Sequence, residues 1–324
     1  MRHGARRRRT ALTAALVAAA MTVSLTAGCT RHGTADDARA PHRTTAPTGS
    51  APPGAPLAVK IDNVPEARPQ TGLDAADVVY TEQVEGGLSR LMAVYATTMP
   101  ESVGPVRSAR ESDLELLRQF AEPTLAFSGA QRKLLPLIHQ APLRAASPDE
   151  AADAYYRSAE KGAPHNLYLH PARLLPSAPG RAALTTGFHY GPAPAGGTPE
   201  SSRTVRYPSA RFTFTWSARR GGWLVAMDGT PTVRSDGSRV APATVVVQYV
   251  RIRSSRFHDT LGSNTPYTET VGSGKAEVLR DGRSFDATWS RPAATVGTAF
   301  KTADGGRMDF ADGQVWVVFA AAPS

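Results

Sequence analysis

The sequence predicts an α+β protein: an N-terminal mixed α/β domain at residues 57–190, a linker at 191–202, and a smaller, mostly antiparallel β domain at 203–324. Three observations carry this. Helix-period spacing of apolar residues is confined to the first half, where Leu114, Leu117 and Phe120 recur. Beyond residue 203, apolar and polar residues alternate between glycine-rich turns. Between the halves stands Gly191-Pro192-Ala193-Pro194-Ala195-Gly196-Gly197-Thr198-Pro199, through which neither periodicity continues. With 28 Gly and 26 Pro in 324 residues a long helical array is excluded, while 41% hydrophobic residues suffice for one large or two modest cores.

The N-terminus reads as export machinery. Residues 2–9 are basic, residues 10–27 are apolar, and the stretch ends Leu25-Thr26-Ala27-Gly28-Cys29. This is a secretory leader, and the one cysteine of the chain stands where the bacterial lipoprotein pathway attaches a diacylglycerol. Residues 1–28 are expected to be a lipoprotein signal peptide, with Cys29 lipidated and the protein held on the extracytoplasmic face of the membrane; Sec and twin-arginine export both stay open. Residues 29–56 form the next segment, and from Thr30 to Pro56 no Val, Ile, Leu, Met, Phe, Trp or Tyr occurs. Such a tether buries no core and spans about 25 to 30 Å as flexible coil.

The formal charge of +9 is a weak pointer, since five of the basic residues are leader arginines and the remainder balance at 32 basic against 28 acidic. No run of Lys and Arg interleaved with aromatics follows the leader, so nucleic acid is not an expected partner.

Within the first domain, 57–62, 77–85 and 90–97 read as strands, with Gly86-Gly87 as the turn between the latter two. A helix is predicted from Glu111 to Ala121, opened by a capping box of Ser112 and Glu115. A strand at 124–128 and a helix at 149–161 complete this half. In the second, Phe212, Phe214 and Trp216 alternate with threonines, Gly221-Gly222 turns the chain, and 223–227 returns as the hairpin partner. Strands follow at 244–252, 275–279, 285–289 and 315–319, with Asp281-Gly282 as a hairpin turn.

Familiar catalytic motifs are missing: Gly272-Ser273-Gly274-Lys275 lacks the spacing of a phosphate-binding loop, and there is no G-x-S-x-G, no H-E-x-x-H and no cysteine pair. One segment stands out. Arg107 and Arg110 lie directly before the Glu111 helix, at the end that disfavours cations, so each needs a negative partner. Candidates inside the chain are Asp62, Asp77, Glu82 and Glu85; the external candidate is a phosphate or carboxylate gripped by the guanidinium forks. Arg90 and Asn63, beside the same strand ends, and His165 and Asn166, in a loop before Pro171, complete the candidate ligand-binding set. No metal site is expected from spacing.

Val59-Lys60-Ile61-Asp62-Asn63, Ala67-Arg68-Pro69-Gln70-Thr71-Gly72-Leu73, Ala76-Asp77-Val78-Val79-Tyr80, Val84-Glu85-Gly86-Gly87-Leu88-Ser89-Arg90 and the Gly104 to Arg110 segment, in this order, resemble the YerB-like bacterial lipoprotein family. Residues from Val245 through Gly272-Ser273-Gly274-Lys275-Ala276 to Trp289 resemble its smaller second part, so the likeness covers about residues 57 to 320. It implies an exported, membrane-anchored protein whose two parts are domains of unknown function. A second likeness, of layout, is to LytR-CpsA-Psr enzymes, through Asp77 to Tyr80, a strand at 91–95 and Val106-Arg107 before a helix, with Ser108 where those enzymes carry an Asp. With no complete catalytic set in the sequence, the first reading is a binding or assembly module of the envelope with an anionic-ligand site at the Arg107/Arg110 face and no cofactor, its partner a cell-wall component or envelope protein. The second likeness implies a phosphotransfer enzyme acting on polyprenyl-linked wall precursors with a divalent cation.

Overall fold

A computed structural model describes residues 54–258 and 262–323; the expected signal peptide, Cys29 and the expected tether up to residue 53 lie outside the described residues. The chain begins with three strands, β1 (Leu57–Asp62), β2 (Val78–Gln83) and β3 (Ser89–Tyr95). β3 pairs antiparallel with both of the others. The short strands β4 (Thr124–Ala126) and β5 (Arg144–Ala146) add in parallel beyond β1.

On the other side of β2, the last strand of the chain, Val315–Ala321, enters in parallel and pairs in turn with Thr244–Val250, also in parallel. Gly272–Arg280, Arg283–Arg291 and Ala299–Thr302 continue outward as an antiparallel meander. The result is one 11-stranded sheet to which both halves of the chain contribute.

Alternation along the strands sorts side chains onto two faces. Leu57, Val59 and Ile61 point to a core shared with a second, four-stranded sheet, whose Phe212, Phe214, Trp223 and Val225 pack beside Trp316. Ala58, Met92, Val94 and Phe319 point to the opposite core, closed by Leu116, Leu117 and Phe120 of α1 (Glu111–Leu117) and the residues after it. Lys60 and Asp62 share the face of Ala58. By sequence order Lys60 is thereby aimed under α1, and Asp62 at the end of the strand. The Asp281-Gly282 turn has both residues at positive φ, 53° and 71°, as a two-residue hairpin requires.

Several expectations are corrected. Strand makes up 42% and helix 12%, so the chain is more β-rich than the α+β class predicted. The predicted helix at 149–161 is a 3-10 turn, Ala152–Ala154, followed by β6 (Tyr155–Arg157) paired antiparallel with β7 (Leu167–Leu169). Tertiary contacts of its aromatics decide this: Tyr155 donates to the Ala146 carbonyl and Tyr156 stacks on Tyr168 and His170. α1 stops at Leu117, before Glu122 at positive φ and Pro123. Its cap is not Ser112 with Glu115: Arg110 is the N-cap residue and the Asp113 carboxylate accepts from its backbone N–H at 2.7 Å.

The tether's last residues, Ala55 and Pro56, are buried, the Pro56 carbonyl accepting from Thr124 N. Part of the 191–202 stretch is also bound into the fold, Gly191 N donating to Phe310 O and Thr198–Pro199 pairing with Arg283 and Ser284.

Candidate functional site

β1, β2 and the Val315–Ala321 and Thr244–Val250 strands all run in one direction, and their carboxyl ends form one edge of the large sheet. Asp62 ends β1 and faces Arg90, which opens β3 and also faces Glu82 near the end of β2. The Gly104-Pro105-Val106-Arg107 segment runs alongside: Asp62 N donates to Pro105 O, Arg107 N to Lys60 O and Val106 N to Leu167 O. The segment after β3 and the start of β7 are thus sewn to the same edge, which brings His165, just before β7, to Asp62.

Asp62 is 1% exposed. Its Oδ1 accepts from Asn63 N, and its Oδ2 lies 2.9 Å from His165 Nδ1 and 3.1 Å from Arg107 Nε. One buried carboxylate therefore fixes an imidazole and a guanidinium side by side. The Nη1 and Nη2 of Arg107 and the Nε2 of His165 have no partner among the described residues, and both side chains reach solvent, at 25% and 21% exposed. Arg107 thus sits in an ion pair at one nitrogen and turns its Nη1 and Nη2 donors outward, and His165, whose Nδ1 faces Asp62, presents its Nε2 beside them, a cradle open to solvent.

Arg110 behaves differently. Its Nε and Nη2 grip Glu85 as a fork at 2.7 and 2.8 Å, while Nη1 donates to the Ser108 and Ala109 carbonyls. Burial pushes the Glu85 carboxyl up, but the Arg110 fork and a Thr265 hydroxyl outweigh it and hold the pKa at about 2. Arg90 donates to Ser108 O at 3.1 Å; burial, and then the Arg110 charge, lower its pKa to about 10 against the attraction of Asp62 and Glu85. Three guanidiniums thus meet two carboxylates, and the edge carries surplus positive charge.

Glu82 lies deeper, in a closed cluster. Lys60 Nζ donates to Glu82 Oε1 and, at 2.7 Å, to Asp113 Oδ1, while Ser112 donates to Glu82 Oε2 at 3.2 Å. Burial and the neighbouring Asp113 charge raise the Glu82 pKa to about 7, with Lys60 opposing.

Asn63 is structural. Its Oδ1 accepts from Gln70 Nε2 and Arg68 Nε, and Arg68 crosses to Asp228 and the Met227 carbonyl in the four-stranded sheet. Two expected members are elsewhere. Asp77 stands at the opposite end of β2, where it accepts from Ala96 N and Thr97 N, five residues and about 16 Å from Glu82. Asn166 bonds Arg157 and the Ser158 carbonyl across the β6–β7 pair.

Lys60, Asp113, Arg68 and Thr265 were missed. The signal for Lys60 was a lysine alternating with Val59 and Ile61 in a strand whose other face is also apolar.

Among the described residues no three His, Cys, Asp or Glu side chains converge to hold a metal. Glu85 is occupied by Arg110 and Asp62 by His165 and Arg107, so these residues do not fit a divalent cation. What the arrangement can do is receive an anion.

Two family profiles match, both described as protein of unknown function (DUF3048): the N-terminal domain at residues 44–185 and the C-terminal domain at 203–317. Over 65 residues the chain is 49% identical to YerB of Bacillus subtilis, a protein whose name describes it as a lipoprotein. That match spans 20% of this chain and 20% of the relative's length. The chain is also similar to the crystal structure of YerB protein from Bacillus subtilis, with a TM-score of 0.67 and 21% identity over 82% of this chain and 90% of that one, a likeness of fold.

Proposed function

The chain belongs to the YerB-like DUF3048 family, and on that premise we propose that it is a lipoprotein, anchored through Cys29 at the extracytoplasmic face of the membrane, that binds an anionic cell-wall component. The observation that carries the ligand class is the pairing of Arg107 and His165 on the buried Asp62, with their outer nitrogens uncommitted. A guanidinium whose Nε is buried beside a carboxylate as an ion pair and whose Nη pair is free loses little side-chain entropy on gripping a phosphate or carboxylate. The Arg90 charge behind it, poorly compensated, favours the same sign of ligand. The lipoprotein assignment is supported by the leader and by the name of the Bacillus subtilis relative.

The test is calorimetric titration of the full-length chain with soluble anionic wall fragments, in the presence and absence of magnesium. Binding is expected in both, weakening with salt. Binding that requires magnesium would favour the phosphotransfer alternative, and binding to envelope proteins but to no wall fragment would replace the ligand class.

A further inference from the structure

The carboxyl edge of the large sheet carries a second recess. Four strands along from β1, about 19 Å at the usual strand spacing, the end of Thr244–Val250 borders a cavity of about 650 Å³. Tyr249, Trp289 and the backbone of Gly272-Ser273-Gly274 line it. Trp289 is fixed there, its Nε1 donating to the Tyr249 carbonyl at 2.9 Å. Gly274 permits this: a Cβ at that position would lie 2.8 Å from the indole Nε1 and 3.0 Å from the Tyr249 carbonyl, so any side chain would push the ring away.

Two cations stand at the cavity, Arg251 and Lys275, both exposed and both without a partner among the described residues. The acid beside them, Glu269, is already held by Arg253 at 2.7 Å, and that guanidinium lies over the Tyr267 ring. Neither Arg251 nor Lys275 has an ion-pair partner among the described residues, and Tyr249 lies beside them at a space of small-molecule size. Open sheets with parallel strands hold ligands outside the carboxyl ends of those strands, where this cavity lies.

We propose that this cavity is a second binding site, for an anionic saccharide: its ring packs against Tyr249, and its phosphate or carboxylate sits between Arg251 and Lys275. The site is separate from the Arg107 cradle and stands without it.

The test is calorimetric titration of the full-length chain with glucose 1-phosphate, glucuronate and neutral glucose, on the parent, R251Q/K275Q, R107Q and the two combined. At least one of the two anions is expected to bind, neutral glucose about tenfold more weakly, and the stronger of the two identifies the acid group. Because Arg251 and Lys275 are exposed and unpaired, R251Q/K275Q should keep the parent's melting temperature. Because the Arg107 cradle takes the same acid groups, the cavity is read in the R107Q background: R107Q should keep one anion site, and adding R251Q/K275Q to it should weaken that site about tenfold or more. The proposal is overturned if neither anion binds, if glucose binds as well as the anions, or if R107Q abolishes binding that R251Q/K275Q leaves intact.

Discussion

Arg107 and Arg110 stand three residues apart, and their removal should have opposite signatures. Arg110→Gln takes both fork bonds from Glu85, whose side chain is 10% exposed, leaving a carboxylate with Thr265 as its remaining side-chain partner. Holding Glu85 at about 2 against the ordinary 4.5 corresponds to about 3 kcal/mol at neutral pH. Residual screening by solvent lowers this to about 2 kcal/mol. Because the folded pKa is depressed, that stability is present above pH 4.5 and is lost as pH falls toward 2. Urea unfolding of R110Q beside the parent should therefore show a gap of about 2 kcal/mol at pH 7 that narrows below pH 4.5. Arg107→Gln removes one ion pair from Asp62, which keeps His165 and Asn63 N, and should cost about 1 kcal/mol or less. A gap for R110Q that does not change with pH, or a larger loss for R107Q than for R110Q, would refute the division of the two arginines into a structural and a ligand-facing one.

The Lys60 cluster predicts a pH response of the opposite sign. Since the folded state keeps a proton on Glu82 that the unfolded chain releases, stability should fall as pH rises from 4.5 to 7 and level off above; E82Q should flatten that slope in urea titrations, whereas K60M, which strands two buried carboxylates, should lose about 3–5 kcal/mol. Limited proteolysis within 191–202 should give two pieces that elute together on gel filtration, because the Val315–Ala321 strand lies between β2 and Thr244–Val250; fragments that separate would show two independent domains. Mass spectrometry of the membrane fraction should detect acylated Cys29 as the mature N-terminus, and a soluble, unmodified N-terminus elsewhere would end the lipoprotein reading.

Local patterns were legible where they were also the final arbiters. β1 occupies the predicted residues, Phe212, Phe214 and Trp216 alternate as read, and the Asp281-Gly282 turn closes the expected hairpin. The edge position of Asp62, Arg90, Glu85, Arg107 and Arg110 followed from reading strand ends and a helix start. What failed was non-local. Nothing near Glu85 announces Thr265, 180 residues away, and nothing in the 315–319 run tells that it pairs in parallel with β2. The helical reading of 149–161 rested on Ser147-Pro148 as an opening signal, and the stacking of Tyr156 on residues of β7 and beyond overrode it. Asp77 and Glu82 looked equivalent on one strand, yet five residues of extended chain put them at opposite ends.

The claim on which the rest depends is that Arg107 and His165, held by Asp62, receive an anion. The most direct measurement is calorimetric binding of pyrophosphate to the full-length parent and R107Q, alongside their unfolding free energies. The account predicts that R107Q binds about tenfold or more weakly while its stability stays within about 1 kcal/mol of the parent. Equal affinity in both proteins, or a loss of binding that only accompanies unfolding, would contradict it.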